Sequence, residues 1–160
     1  MRLTLIGVGR LKSGPERELF DRYFKRLSDL ARSQGIAEVD AREIEEGRAR
    51  RPEDRQAEEA RAILAAAPKG AWLALLDERG ASMTSIQWAA EIGRVRDGAA
   101  PAYAVIIGGP DGLDSSLRAQ ARTILSFGAM TWPHQFVRVM ASEQLYRALS
   151  ILGGHPYHRG

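Results

Sequence analysis

Cysteine is absent from the 160 residues. Disulfides, zinc–thiolate centres and cysteine nucleophiles are therefore excluded. Histidine is sparse, confined to His134, His155 and His158. Of the 23 basic residues only Lys12, Lys25 and Lys69 are lysine. No apolar run approaches the roughly 18 residues that a membrane-spanning helix needs. The opening stretch, Met1-Arg2-Leu3-Thr4-Leu5-Ile6-Gly7, is too short for a secretory signal and reads as a first strand. These absences point to a cytoplasmic chain with no membrane attachment. His155 and His158 lack an obvious third ligand, so no metal site is expected.

What is present suits one compact domain spanning residues 1–160, with 44% hydrophobic and 27% charged residues. The net charge of +3 is modest, but its carriers are mostly arginines, whose planar fork suits phosphate and base contacts. The charge permits nucleic-acid binding without requiring it.

Apolar patterning predicts strands at Leu3–Val8, Ala37–Ile44, Ala71–Leu76, Tyr103–Ile107 and Ile124–Phe127. Helices are predicted over Glu16–Leu30, Glu58–Ala67, Thr84/Ser85–Val95, Asp114–Arg122 and Pro133–Leu152. Glu46–Arg55 reads as an exposed, arginine-rich loop, and Asp77-Glu78-Arg79-Gly80 as a strand break. Strands alternating with helices imply an α/β fold with a mostly parallel sheet flanked by helices.

Five segments are weighed for chemistry. Ile106-Ile107-Gly108-Gly109-Pro110-Asp111-Gly112 ends a buried strand in a glycine turn, the place where open α/β sheets bind ligands, though a tight turn needs the same glycines. No Gly-Lys-Ser/Thr follows it, so it is not a P-loop. Gly7-Val8-Gly9 also follows a strand, but Lys12 occupies the third glycine position of a dinucleotide fingerprint, which disfavours NAD. Ser126–His134 is too apolar for a solvated loop. It reads as a covered segment, completed by a ligand such as an adenine ring or pinned beneath the last helix by Trp132. The last helix places Val137, Met140, Ala141, Leu145, Ala148, Leu149 and Leu152 on one stripe, with Arg138 projecting away and Glu143–Arg147 as an i,i+4 pair. After a Gly153-Gly154 hinge, the tail 153–160 crowds His155, Tyr157, His158 and Arg159 together, unusual for a terminus.

Taken in order, Ile107–Gly112, Thr131-Trp132-Pro133-His134, Val137-Arg138-Val139, Glu143–Ala148 and His155-Pro156-Tyr157-His158-Arg159 resemble the ribosomal RNA large subunit methyltransferase H family, minimal members of the SPOUT or α/β-knot class. The resemblance spans essentially the whole chain and is strongest from Leu73 onward. It implies a SPOUT fold with a C-terminal trefoil knot, the knot and cofactor pocket falling at about 71–152. It also implies S-adenosylmethionine as methyl donor and a homodimer with its active site near the subunit interface. The implied substrate is a pseudouridine of 23S ribosomal RNA, methylated at N3 in the assembled ribosome. By motif, the cofactor would meet Leu76, Gly108 and the run Phe127, Gly128, Ala129, Met130, Thr131 and Trp132. Phe127-Gly128 departs from the family pattern, which carries Leu-Ser or a similar pair, leaving backbone rather than side-chain contacts there.

Roles for the remaining candidates follow from this reading. His158, or His155, would remove the imide proton, since histidine titrates near neutrality. Arg159 would stabilise charge on the imide oxygens and Tyr157 would stack on the base. Arg138 and the loop arginines Arg48, Arg50 and Arg51 would hold phosphates. The competing class is a non-catalytic nucleotide-binding regulatory module using the same turn and loop; such a module has no use for the tail.

Overall fold

The computed structural model describes residues 1–159. Five strands and five α-helices alternate: β1 (Arg2–Val8), α1 (Pro15–Ala31), β2 (Glu38–Ile44), α2 (Pro52–Ala66), β3 (Trp72–Ser82), α3 (Ser85–Asp97), β4 (Ala102–Ile107), α4 (Ser115–Gln120), β5 (Thr123–Ser126) and α5 (His134–Leu152). The sheet order is β2-β1-β4-β3-β5, and every strand pairing is parallel. The expected α/β class is borne out.

The period-two geometry of strands explains how the sheet is covered on both faces. Leu3, Leu5, Ala74, Leu76, Tyr103, Val105, Ile107 and Leu125 point to one side, where they pack beneath α1, α3 and α5. Ile6, Val8, Leu73, Leu75, Ala104 and Ile106 point to the other, beneath α2 and α4. The central strand β4 is buried along its whole length, so its sequence is an unbroken apolar run. At the starts of β3, β4 and β5 a polar chain seals the sheet. Trp88 Nε1 donates to Tyr103 Oη at 2.9 Å, and Tyr103 Oη donates to Glu91 Oε1 at 2.6 Å. Thr123 Oγ1 donates to the same carboxylate at 2.8 Å and accepts from Trp72 Nε1 at 2.9 Å. Burial, reinforced by Glu91, holds the Tyr103 phenol well above its usual pKa, so it stays a neutral donor.

Local signals place most boundaries. Thr84 caps α3 through a reciprocal capping box with Gln87. Asp114 caps α4 by accepting from the Ser116 N–H. Two expectations are corrected. Helix α2 begins at Pro52, so Arg55 is helical rather than part of the loop. Asp77–Gly80 does not end β3: the strand shifts register between Leu76 and Ala81 and continues to Ser82. Gly80 permits this, because a Cβ there would lie 2.5 Å from the backbone carbon of Leu125.

Helix α5 packs against both α1 and α3. Its buried surface is therefore broader than one apolar stripe and includes Ser142 and Ser150, each donating to its own helix backbone.

Candidate active site

A cleft of about 740 Å³ opens at the carboxyl ends of β3, β4 and β5. Parallel strands all end on this edge, and their connecting loops splay apart where neighbouring strands lead to different places. One wall is the glycine turn after β4. The Gly112 N–H donates to Gly109 O at 3.0 Å, and Gly112 takes a φ of 82°, a conformation that glycine tolerates without strain. Asp111 in this turn accepts from Arg55 Nε at 2.7 Å and Nη2 at 3.1 Å. That paired donation holds the Asp111 carboxyl below its usual pKa. Beneath the turn lies Glu59, 4% exposed, whose carboxylate accepts from the Gly47 N–H at 2.8 Å. Burial raises the Glu59 pKa, assisted by the nearby Asp111 and Glu46. Opposite, Asp77 at the bend of β3 is nearly enclosed and accepts from Arg118 of α4 at 2.5 and 3.0 Å.

The second wall is the segment 126–133. Ser126 Oγ donates to Gly128 O at 2.8 Å and accepts from the Gly128 N–H at 3.1 Å, forming a tight local turn. The Phe127 ring meets Trp88 edge-on at 6.1 Å. The expectation that Trp132 pins this loop beneath the last helix is overturned. Met130 is 74% exposed and Trp132 43%, with Phe136 of α5 at 45%, so Trp132 does not pin the loop beneath the helix. The loop forms the open lip of the cleft: Phe127 packs against the core, while Met130 and Trp132 project away from the packed layers.

Among the residues expected to meet a cofactor, Leu76, Gly108, Phe127, Gly128, Met130, Thr131 and Trp132 all line this cleft, whereas Ala129 does not. The cleft also recruits Asp77, Arg118 and His134, none of which the sequence reading selected. His134 stands at the start of α5; a polar residue directly after an apolar loop was the available clue.

The tail is elsewhere. Tyr157 Oη donates to Glu143 Oε1 at 2.9 Å, its ring tilts against Tyr146 at 4.7 Å, and Arg147 lies 4.8 Å over it. Burial and the Glu143 carboxylate raise the Tyr157 pKa, so its proton is firmly held. Arg147 also pairs with Glu143 at 2.6 Å, as expected, and its Nη1 approaches His158 Nδ1 at 3.2 Å. Guanidinium can only donate, so Nδ1 accepts and the ring proton sits on Nε2, which is buried without a partner. In this arrangement His158 offers no free lone pair. His155 and Arg159 are exposed, and among the described residues none of the tail lines the cleft of its own chain.

Arg138 is a correction. It does not project from the apolar stripe into solvent but is 4% exposed. Its guanidinium donates to the carbonyls of Val8 and Gly9 and approaches Glu43 Oε1 at 3.4 Å. Gly7 supplies the space for it. Burial lowers its pKa against the support of Glu43. It is thus unavailable to a phosphate. Arg48, Arg50 and Arg51 are exposed as expected; Arg48 lies 3.5 Å from Glu45, and Arg51 lies 2.9 Å from Asp54. Such solvated pairs are weak and exchangeable.

The chain matches the family described as "Predicted SPOUT methyltransferase" over residues 1–158 and belongs to that family. Within it, the chain is 56% identical over 159 residues to the ribosomal RNA large subunit methyltransferase H of Rhodopseudomonas palustris (strain HaA2), covering 99% of each chain. The protein of the same name from Nitrobacter hamburgensis is 54% identical over 160 residues, covering all of both chains. That from Methylobacterium radiotolerans is 56% identical over 161 aligned positions, covering 100% of this chain and 98% of its own. The family resemblance read from the sequence is borne out.

Proposed function

We propose that this chain is an S-adenosylmethionine-dependent methyltransferase that methylates N3 of a pseudouridine in 23S ribosomal RNA. It would act in the cytoplasm on the assembled ribosome as a homodimer, its C-terminal segment forming the trefoil knot of its class. The observation that carries the reading is the convergence of Leu76, Gly108 and the 127–132 loop on one cleft at the carboxyl edge of the sheet. Full-length likeness to relatives named for the activity supports the substrate class.

The cleft suits the donor. Its volume of about 740 Å³ lies within the range of small-molecule pockets. A Cβ at Gly112 or Gly128, both cleft residues, would meet nothing within 4 Å, so a ligand can approach the backbone closely there. Leu76 and Val137 offer apolar contact. When bound, S-adenosylmethionine supplies an electrophilic methyl group for in-line displacement. The residues of the chain align acceptor with donor and handle the imide proton.

The tail, parked on α5 of its own chain, would complete the cleft of the partner subunit. There Tyr157 would stack on the base, Arg159 would stabilise the imide oxygens, and His158 or His155 would take the proton. For His158 this requires release from Arg147, because Nδ1 is otherwise occupied. The loop arginines Arg48, Arg50 and Arg51 would hold phosphates.

The test is methyl transfer from labelled donor to ribosomes, followed by mapping of the modified nucleotide. Removal of residues 157–160 should abolish transfer while leaving donor affinity within a few-fold. Full transfer by the truncated chain, or a modified nucleotide other than a pseudouridine, refutes the assignment.

A further inference from the structure

The segment after β1 is held in place by side chains from three elements. Arg138 of α5 donates to Val8 O and Gly9 O. Glu43 at the end of β2 accepts from the Leu11 N–H at 3.1 Å. Arg17 of α1 donates to Leu11 O at 3.3 Å and to Glu43 at 3.2 Å. The Gly9 N–H donates to Ile44 O at 2.7 Å. Leu11 is driven into the core at 4% exposure, while Arg10 and Lys12 on either side of it are exposed. Neither cation forms an ion pair among the described residues.

This is a fixed ledge presenting two unpaired cations. Its position gives them a use. Strand β1 lies beside β4, with Gly7 in register with Ile107, the residue before the glycine turn. Neighbouring strands are about 4.8 Å apart, so the ledge stands one strand spacing from the cleft on the same edge of the sheet. The next strand outward, β2, leads into the loop bearing Arg48, Arg50 and Arg51. Cleft, ledge and arginine loop therefore follow one another along the carboxyl edge. The buried Arg138, with Glu43 and the half-exposed Arg17, fixes the ledge backbone before any partner arrives, which lowers the ordering cost of a contact made by Arg10 and Lys12.

We propose that Arg10 and Lys12 contact the phosphate backbone of the RNA substrate, forming the inner end of a cationic track that leads from the loop arginines to the cleft. Arg138 serves the RNA indirectly, as a positioning residue for this ledge. The proposal rests on the RNA-methyltransferase reading above and deepens it.

The experiment measures binding of a fluorescein-labelled RNA stem-loop by anisotropy across a salt series, alongside donor binding by calorimetry. Each phosphate contact contributes about 0.7–0.9 to the slope of log K against log salt. Replacing both residues (R10Q/K12Q) should weaken RNA binding and reduce the slope by about 1.4–1.8, with donor affinity unchanged. Lys69, exposed in the loop leading into β3 on the opposite edge, provides the control: K69Q should leave the slope as it is. An R10Q/K12Q slope equal to that of the wild type overturns the proposal. So does a parallel loss of donor affinity, which would make the ledge a part of the cleft rather than an RNA contact. Failure of the wild-type chain to bind the RNA at all would instead overturn the RNA reading on which the proposal stands.

Discussion

Gly7→Ala puts the packing of Arg138 to a quantitative test. Gly7 lies in β1 with no left-handed φ, so alanine fits its backbone. Taken alone, the substitution should stabilise by about 0.4–1 kcal/mol, because the unfolded chain loses freedom. The new Cβ, however, would sit 2.6 Å from Arg138 Nε and 2.7 Å from Cζ. The guanidinium has no room to retreat, since Nη2 is committed to Val8 O and Gly9 O and Nη1 faces Glu43. Overpacking of this kind costs about 1–3 kcal/mol, and a lost charged hydrogen bond with a buried acceptor about 1.5–3 kcal/mol. The clash wins, and Gly7→Ala should destabilise by about 1.5–5.5 kcal/mol on these figures. Urea unfolding should show a lower midpoint with an unchanged slope. In an Arg138→Ala background the obstacle is gone, and the same substitution should become neutral or stabilising by about 0.5 kcal/mol. The two effects are thus strongly non-additive. An equal cost of Gly7→Ala in both backgrounds would refute the reasoning.

Two further outcomes are expected. Burial raises the Glu59 pKa in the folded chain. The folded state therefore binds this proton more tightly than the unfolded state does. Its contribution is fully favourable below the unfolded value near 4.5 and is lost as pH rises through the higher folded value. Glu59→Gln, which keeps an acceptor for the Gly47 N–H, should therefore raise the urea midpoint near neutral pH and lose that advantage well below pH 4.5; a pH-independent effect would contradict the assignment. Gly128 takes a φ of 114° with open space where a Cβ would stand. Gly128→Ala should accordingly cost about 1–2 kcal/mol through backbone strain alone and weaken donor binding in calorimetry; unaltered donor affinity in a destabilised variant would separate this loop from the cofactor.

The cleft was largely legible because its parts are local. A buried strand followed by Gly108-Gly109-Pro110-Asp111-Gly112 announces a turn whatever else surrounds it, and parallel α/β architecture puts such turns on the ligand edge. The Thr84 and Asp114 caps were legible for the same reason, since a cap bonds amides two or three residues away. Arg138 was not. Helical periodicity set it off the apolar stripe, but its partners Val8 and Gly9 lie about 130 residues earlier, and its space exists only because position 7 lacks a side chain. The loop at Met130 and Trp132 misled in the opposite direction: apolar composition suggested cover, and nothing local shows that these side chains face outward at the lip of a cleft.

The amino-acid order by itself determined the alternation of strands and helices, the glycine turn, the helix caps and the chemical inventory of the tail, all set by contacts within a few residues. Tertiary structure alone decided that Arg138 is enclosed rather than solvated, that β3 runs through its bend at Asp77, and that Tyr157 and His158 rest on Glu143 and Arg147 away from their own cleft. Each of these depends on which distant segments meet across the sheet and its helices. Burial, partner and charge state are properties of that meeting and have no counterpart in local spacing.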